Sequence, residues 1–329
     1  MSKYKHIIID GNNLYAANWF ANKNLTVTYQ GNVIITGGIY GFLRSLKRLE
    51  REYLEKFGKV YILFDNYDSK ENYRKEIDPA YKKDRKKQEL AYYQGLDLLQ
   101  LILLSYSDNY NIVYGTSYEA DDLVLPIQKY LRKHFPYDRM LMISEDADWA
   151  RGIGNDTDWY AKKKIFTSIL FEETFGYAPT MDSVIMYKSL RGDDSDGIPK
   201  GLANIREVTV IGLIKKYHNL HNMFISYPEL VYIDKGKEKK LSDLWVERLH
   251  RQKSRIILNS KLVGFLPLSE SGIISFMYIG KFRPEAILMY CNMLSIDPLK
   301  LDPTLAKHLP DQDFDDESFL LPNLVERAK

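Results

Sequence analysis

Apolar positions along the first half of the chain fall into short continuous runs separated by longer stretches at helical spacing. His6-Ile7-Ile8-Ile9, Val60-Tyr61-Ile62-Leu63-Phe64, Asn111-Ile112-Val113-Tyr114 and Met140-Leu141-Met142-Ile143-Ser144 are the runs. Continuous rather than alternating apolar character marks strands buried on both faces of a parallel sheet. Between them Ile39, Phe42, Leu43, Leu46, Leu49, Tyr53 and Leu54 predict a helix up to Phe57, ending at Gly58, and a second helix is predicted from about Gln88 to Leu104. Strand and helix in alternation imply right-handed crossovers, so the expected fold class is α/β, a central mostly parallel sheet with helices on both faces. Lys162 to Phe166 offers one further strand. Beyond it the texture turns helical, with Val184, Ile185, Tyr187 and Leu190 on one face, a helix over 207–217 and helical patterning from Leu241 to Leu266. A soft boundary near Ser189 divides a core of residues 1–188 from a helical region of residues 189–329.

Composition changes this picture little. A chain of 329 residues with 45% apolar content can bury a full core. Lysine plus arginine (46) nearly balances aspartate plus glutamate (44), so only local clustering can argue for a polyanionic partner. The single Cys291 excludes an intramolecular disulfide, fits a reducing compartment and is expected to be buried. Only three isoleucines precede Asp10, too short for a signal peptide, and no apolar run reaches membrane-spanning length, so a cytoplasmic protein is expected. The acidic run Asp311-Gln312-Asp313-Phe314-Asp315-Asp316-Glu317 reads as a solvated tail or a docking peptide.

Each predicted strand leads to acids: Asp10, Asp65, then Glu119, Asp121 and Asp122, then Asp146 and Asp148. Asp193 and Asp196 follow in Gly192-Asp193-Asp194-Ser195-Asp196. Any one of them could simply cap a helix or complement its dipole. The set could not, because ligand sites in such sheets lie beyond the carboxyl ends of the strands and would gather most of these acids there. Two like charges about 4 Å apart repel by roughly 4 kcal/mol at an effective dielectric near 20, so the group needs cations or raised pKa values. All-oxygen donors favour Mg²⁺ or Mn²⁺, and two such ions suit in-line phosphodiester hydrolysis. His218 and His221 lack any companion metal spacing and read as capping or solvated residues.

Between Asp65 and the next strand, residues 69–87 carry excess positive charge with Tyr73 and Tyr81 among the lysines and arginines. Alone this is a solvated helix. Following an active-site strand, it is placed to hold a nucleic-acid backbone, with tyrosines available to stack on bases.

Together the motifs resemble the 5′-nuclease family, the flap endonucleases and especially the phage 5′-3′ exonucleases with a PIN-like core. The residues that carry the resemblance are Ile9-Asp10-Gly11-Asn12-Asn13-Leu14, Phe64-Asp65, Tyr73-Arg74 through Pro79-Ala80-Tyr81-Lys82-Lys83-Asp84-Arg85, Glu119-Ala120-Asp121-Asp122, Ser144-Glu145-Asp146-Ala147-Asp148 and Gly192 to Asp196, over roughly residues 5–265. The resemblance implies a catalytic core with a helical arch at about 67–105, followed by a helix-three-turn-helix. It implies two Mg²⁺ or Mn²⁺ ions, one served by Asp10, Asp65, Glu119, Asp121 and Asp122, the other by Asp146, Asp148, Asp193 and Asp196. It gives catalytic roles to Lys82, Arg85, Asp10 and Asp65, with Lys82 foremost against the scissile phosphate. Nucleic-acid contacts would come from Arg74, Tyr81, Lys82, Lys83, Arg85, Lys200, Gly201 and Arg206. The partner implied is DNA with a free 5′ end, flap or branch, or an RNA–DNA hybrid, cut by a monomer during replication or primer removal, with replication proteins docking on the tail. One departure stands out: Asn204 and Arg206 replace glycines of the family's hairpin, where non-glycine residues restrict left-handed backbone. A catalytically silent branch binder and a PIN-like single-strand ribonuclease are the competing functions.

Overall fold

The computed structural model describes residues 3–309 except 30, 66–72, 85, 116 and 265–267. The acidic segment from Asp311 to Glu317 therefore lies outside the described residues. The strands are β1 (Tyr4–Asp10), β2 (Thr26–Tyr29), β3 (Asn32–Ile35), β4 (Leu54–Leu63), β5 (Tyr110–Val113), β6 (Met140–Ile143), β7 (Thr157–Ala161), β8 (Lys164–Phe166), β9 (Val231–Asp234), β10 (Lys237–Lys240) and β11 (Met277–Ile279). The helices that matter below are α1 (Gly11–Asn22), α2 (Gly37–Tyr53), α3 (Tyr73–Ile77), α4 (Leu90–Tyr106), α5 (Ala120–His134), α6 (Ser168–Phe175), α7 (Met181–Arg191), α8 (Glu207–Tyr217), α9 (Leu220–Ile225), α10 (Asp243–Arg251) and α11 (Lys253–Val263).

Seven strands form one sheet in the order β11-β5-β4-β1-β6-β7-β8. β1 pairs in parallel with β4 and with β6, β6 pairs in parallel with β7, and β8 closes the edge antiparallel to β7. The continuous apolar runs have the expected cause: Ile7, Ile8 and Ile9 in the middle strand are all 0% exposed. Register fixes the site. Asp10 lies opposite Leu63 on one side, and Ile9 lies opposite Ile143 on the other. Asp65 and Ser144 therefore emerge beside Asp10, at the same end of the sheet.

Two elements differ from expectation. α2 stops at Tyr53, because Leu54 leaves it to pair with Tyr4 at the start of β4. An apolar residue there satisfies either period. β7 escaped the apolar-run criterion because Thr157 and Asp158 open it. Both are buried, and the Asp158 carboxylate accepts hydrogen bonds from the Tyr4 hydroxyl (2.7 Å) and Arg139 Nη2 (2.5 Å).

The chain forms two compact units, one of residues up to 14, 50–88 and 111–278, the other of 15–49, 89–110 and those from 279. In the first, one apolar cluster runs from Ile8 and Leu63 of the sheet through Leu123 of α5 to Leu190 of α7 and Leu213 of α8. In the second, the rings of Tyr15 and Trp19 meet Tyr92 with centroids 5.1 and 5.4 Å away. Cys291 is buried there as a free thiol, as its solitary place in the sequence predicts. Among the described residues no helix is long and apolar enough to cross a membrane.

Candidate metal centre

The first acid group is built where β1, β4 and β6 end. Asp10 is 7% exposed and accepts hydrogen bonds from the Asn13 amide (2.9 Å) and the Ser144 hydroxyl (2.8 Å). Burial, with the charges of Asp65 and Asp146 nearby, pushes its carboxyl up to about 7 despite those hydrogen bonds. A side chain at Gly11 would meet the Phe64 ring at 2.5 Å, so only glycine lets the chain turn there from strand to helix. Asn12 Oδ1 takes the Asp65 amide (2.8 Å), and the Asp65 carboxylate takes the Ala120 amide (2.8 Å) at the start of α5. Asp121 accepts from the Trp149 indole (2.6 Å). Burial first, then Asp146 and Asp10, hold its carboxyl well above the usual range. Asp146 caps a short 3-10 turn over Ala147–Gly152, accepting from the Asp148 amide (2.9 Å).

The second group comprises Asp148, Asp193 and Asp196, whose oxygens lie within 4.8 Å of one another. The loop after α7 makes this possible. Gly192 and Gly197 adopt φ of +76° and +69°, and the backbones of Asp193 and Ile198 exchange two hydrogen bonds of 2.8 Å between them. Lys188, on the last turn of α7, pairs with Asp148 and lies 2.5 Å from Asp193. Arg151 Nη2 stands 3.5 Å from Asp148. Burial opposes ionisation of Asp193, but Lys188 and the Ser195 hydrogen bonds hold its carboxyl below the usual range. Three carboxylates this close offer the oxygen donors that a hard divalent cation prefers. A cavity of about 480 Å³, lined by Asn13, Asp146, Lys188 and Asp193, opens beside them.

Glu119 and Asp122 are placed differently from the other acids. Asp122 is 0% exposed, and Arg74 grips both its oxygens at 2.8 and 2.6 Å. It also accepts the Glu119 amide (3.2 Å), so here the helix-capping use of an acid is realised. Glu119 Oε2 receives Lys82 (2.9 Å), the Tyr81 hydroxyl (3.2 Å) and Arg74 (3.5 Å).

Arg74 and Tyr81, expected among the nucleic-acid contacts, are both buried. Arg74 is 3% exposed, its remaining donors spent on the carbonyls of Leu262 (2.8 Å) and Gly264 (3.1 Å). Tyr81 is 2% exposed, its hydroxyl reaching Asp196 at 3.0 Å as well as Glu119, so its ring is unavailable for stacking. Lys82 joins the two neighbourhoods. Its backbone is left-handed (φ +51°), its amide donates to the Asp196 carbonyl (3.1 Å), and its ammonium lies between Glu119 and Asp196 Oδ1 (3.3 Å). Burial opposes its charge, but Glu119 and Asp196 overcome that and raise its pKa. Lys83 is exposed, and Arg85 lies outside the described residues.

Lys200 and Arg206 are exposed before α8. Gly201 is buried instead: a side chain there would meet the Ser189 carbonyl at 2.3 Å and Ile256 at 2.8 Å, so its glycine serves packing of α7 on α11. Asn204 takes φ +65°, the conformation a glycine would supply. Sequence reasoning gave no role to Lys188, Arg151, Ser144 or Trp149. Only Lys188 left a signal, a cation within the last turn before the aspartate loop.

The family described as 5′-3′ exonuclease, N-terminal resolvase-like domain, matches residues 5–176. DNA polymerase I of Bacillus subtilis (strain 168) is 25% identical over 299 residues, covering 88% of this chain and 31% of the polymerase. That of Synechocystis sp. is 24% identical over 263 residues, 74% of this chain and 26% of the polymerase. The chain thus spans about a third or less of these relatives. Among solved structures, T5 5′-exonuclease with bound zinc superposes with a TM-score of 0.60 at 16% identity, covering 93% of this chain and 99% of that one. A bacteriophage T5 flap endonuclease in complex with DNA and metal ions gives 0.58 at 17% identity, with 93% and 98% covered. The catalytic core of Rad2 with DNA substrate gives 0.50 at 13%, with 92% and 93% covered. These structures share the fold: a mostly parallel, PIN-like nuclease sheet with a helical C-terminal region.

Proposed function

We propose, from the premise that the chain belongs to the 5′-3′ exonuclease family with an N-terminal resolvase-like domain, that it hydrolyses phosphodiester bonds of DNA. It would act as a metal-dependent 5′-3′ exonuclease and structure-specific 5′-flap endonuclease, in replication or primer removal. The observation that carries the reading is the cluster of Asp148, Asp193 and Asp196 near the strand ends, with Lys82 bridging Asp196 and Glu119. The DNA complexes of the T5 and Rad2 nucleases and the polymerase relatives support DNA as substrate.

Asp10, Asp65 and Asp121, with Glu119 beside them, would hold one ion, and Asp148, Asp193 and Asp196 the other, with Asp146 between the groups. Two Mg²⁺ or Mn²⁺ ions would supply Lewis-acid stabilisation of the attacking and leaving oxygens. Asp122 acts through Arg74, whose guanidinium also reaches Glu119. Lys82 exchanges its carboxylate partners for the scissile phosphate, and offsets the charge that develops there. Arg85 and Lys83 lie on either side of Asp84, in the segment of the arch (67–105) that would admit a free 5′ strand. Lys200 and Arg206 hold the duplex backbone.

The test is product mapping on 5′-end-labelled flap, nicked and RNA–DNA hybrid duplexes with and without Mg²⁺. Metal-dependent products with a 5′-phosphate and a 3′-hydroxyl are expected, and Asp146→Ala with Asp148→Ala should reduce cleavage to background while DNA still binds. Binding without turnover in the wild type would instead make the protein a silent branch binder. Cleavage confined to single-stranded RNA would make it a ribonuclease.

A further inference from the structure

We infer that the hairpin β9–β10 is an additional duplex-binding surface, gripping the sugar-phosphate backbone beside the turn at 199–206. The inference rests on the nuclease reading above but concerns residues outside its site.

Placement is the first argument. β9 lies along α8: the Val231 amide donates to the Tyr217 hydroxyl (2.9 Å) at the helix's carboxyl end. Midway, a side chain on Gly212 would meet the Ile233 carbonyl at 2.4 Å, so the helix has given up its side chain to let the strand approach. At the other end Asp234 feels the charge of Arg206, the residue at the N-cap position of α8. The tip of the hairpin is therefore carried to the same end of α8 as Arg206. Tyr232 packs on the core cluster, so the hairpin is anchored rather than loose.

Chemistry is the second. The antiparallel register pairs Asp234 with Lys237 and leaves Lys235-Gly236 as a two-residue turn. Both turn residues have positive φ, +48° and +76°, the geometry of a type I′ turn, in which asparagine, aspartate and glycine are favoured. A lysine in the first of these positions goes against backbone preference, and what it supplies is a cation at the tip. Three lysines nearby are neutralised: Lys239 by Asp234 (2.6 Å), Lys216 by Glu238 and Lys240 by Asp243 (3.3 Å). Lys235, Lys237, Lys200 and Arg206 are exposed and form no ion pair among the described residues. Exposed cations on an anchored hairpin and before α8 can meet the phosphates of a duplex, which needs no base contact.

The experiment is Lys235→Asn combined with Lys237→Gln, asparagine being chosen because it accepts the left-handed turn. Fluorescence anisotropy in EDTA would follow binding of a labelled 5′-flap duplex and of the matching single strand across a potassium chloride titration. The duplex should bind about 3- to 10-fold more weakly, with a log–log salt slope shallower by about 1 to 2. Single-strand affinity and the melting temperature should be unchanged. Unaltered duplex affinity and slope would overturn the hairpin alone, as would an equal loss for both ligands. A wild-type protein that binds neither would overturn the nuclease reading with it.

Discussion

Arg74, which the family resemblance sets in the arch, is enclosed in the protein with its charge on Asp122. Its bidentate pair with Asp122 is enclosed, and removing one partner of such a pair leaves an uncompensated charge. Arg74→Met should therefore cost about 3–5 kcal/mol, read from urea unfolding. A variant as stable as the wild type would show the pair to be dispensable. Lys82→Ala should keep its circular-dichroism spectrum but lose roughly 10²- to 10³-fold in single-turnover rate, as for other charge-stabilising donors. A wild-type rate removes it from the reaction. Lys188 stands among the carboxylates as their built-in counter-charge. For Lys188→Met the metal-free protein should melt lower than the wild type. Added Mg²⁺ should then raise the melting temperature further than it does in the wild type, by linkage.

At the scale of elements, the strands buried on both faces were legible because burial leaves a continuous apolar run, and their acids were legible because each run ends at one or leads within a few residues to one. β7 was hidden by its buried Asp158, which Tyr4 and Arg139, both distant in the chain, make tolerable. The hairpin β9–β10 drew no reading, because Lys237-Glu238-Lys239-Lys240 carries no apolar position to mark a strand. Within the site, the acid types were readable but their division of labour was not. That Asp122 is consumed by Arg74, and that Lys188 lies between Asp148 and Asp193, depends on contacts between segments far apart in the chain. Glycine meaning was equally context-bound. Gly201→Ala, forced against a backbone carbonyl, should destabilise the protein by about 1–3 kcal/mol in thermal melts. Asn204→Gly should be nearly neutral, since Asn204 is already left-handed. The reverse ranking would refute this account of the turn.

For the whole molecule, the histidine in the middle strand gives stability a pH dependence. Burial, against the pull of Asp138, lowers the pKa of His6 below 6.5. Between its folded and unfolded values the unfolded chain binds more protons, so stability rises with pH across that window and is lost as pH falls through 6.5. The stability of the wild type relative to His6→Gln, measured by urea unfolding in saturating Mg²⁺, should shrink as the solution is acidified below neutrality. A pH-independent difference would mean that His6 does not titrate on unfolding. The contact between the Lys82 amide and the Asp196 carbonyl has a consequence in time. A chain still on the ribosome carries Asp10, Asp65 and Lys82 well before Asp193 and Asp196 have been made. The second acid group is thus completed only once the chain beyond α7 has been made, and Lys82 gains its contact with Asp196 no earlier.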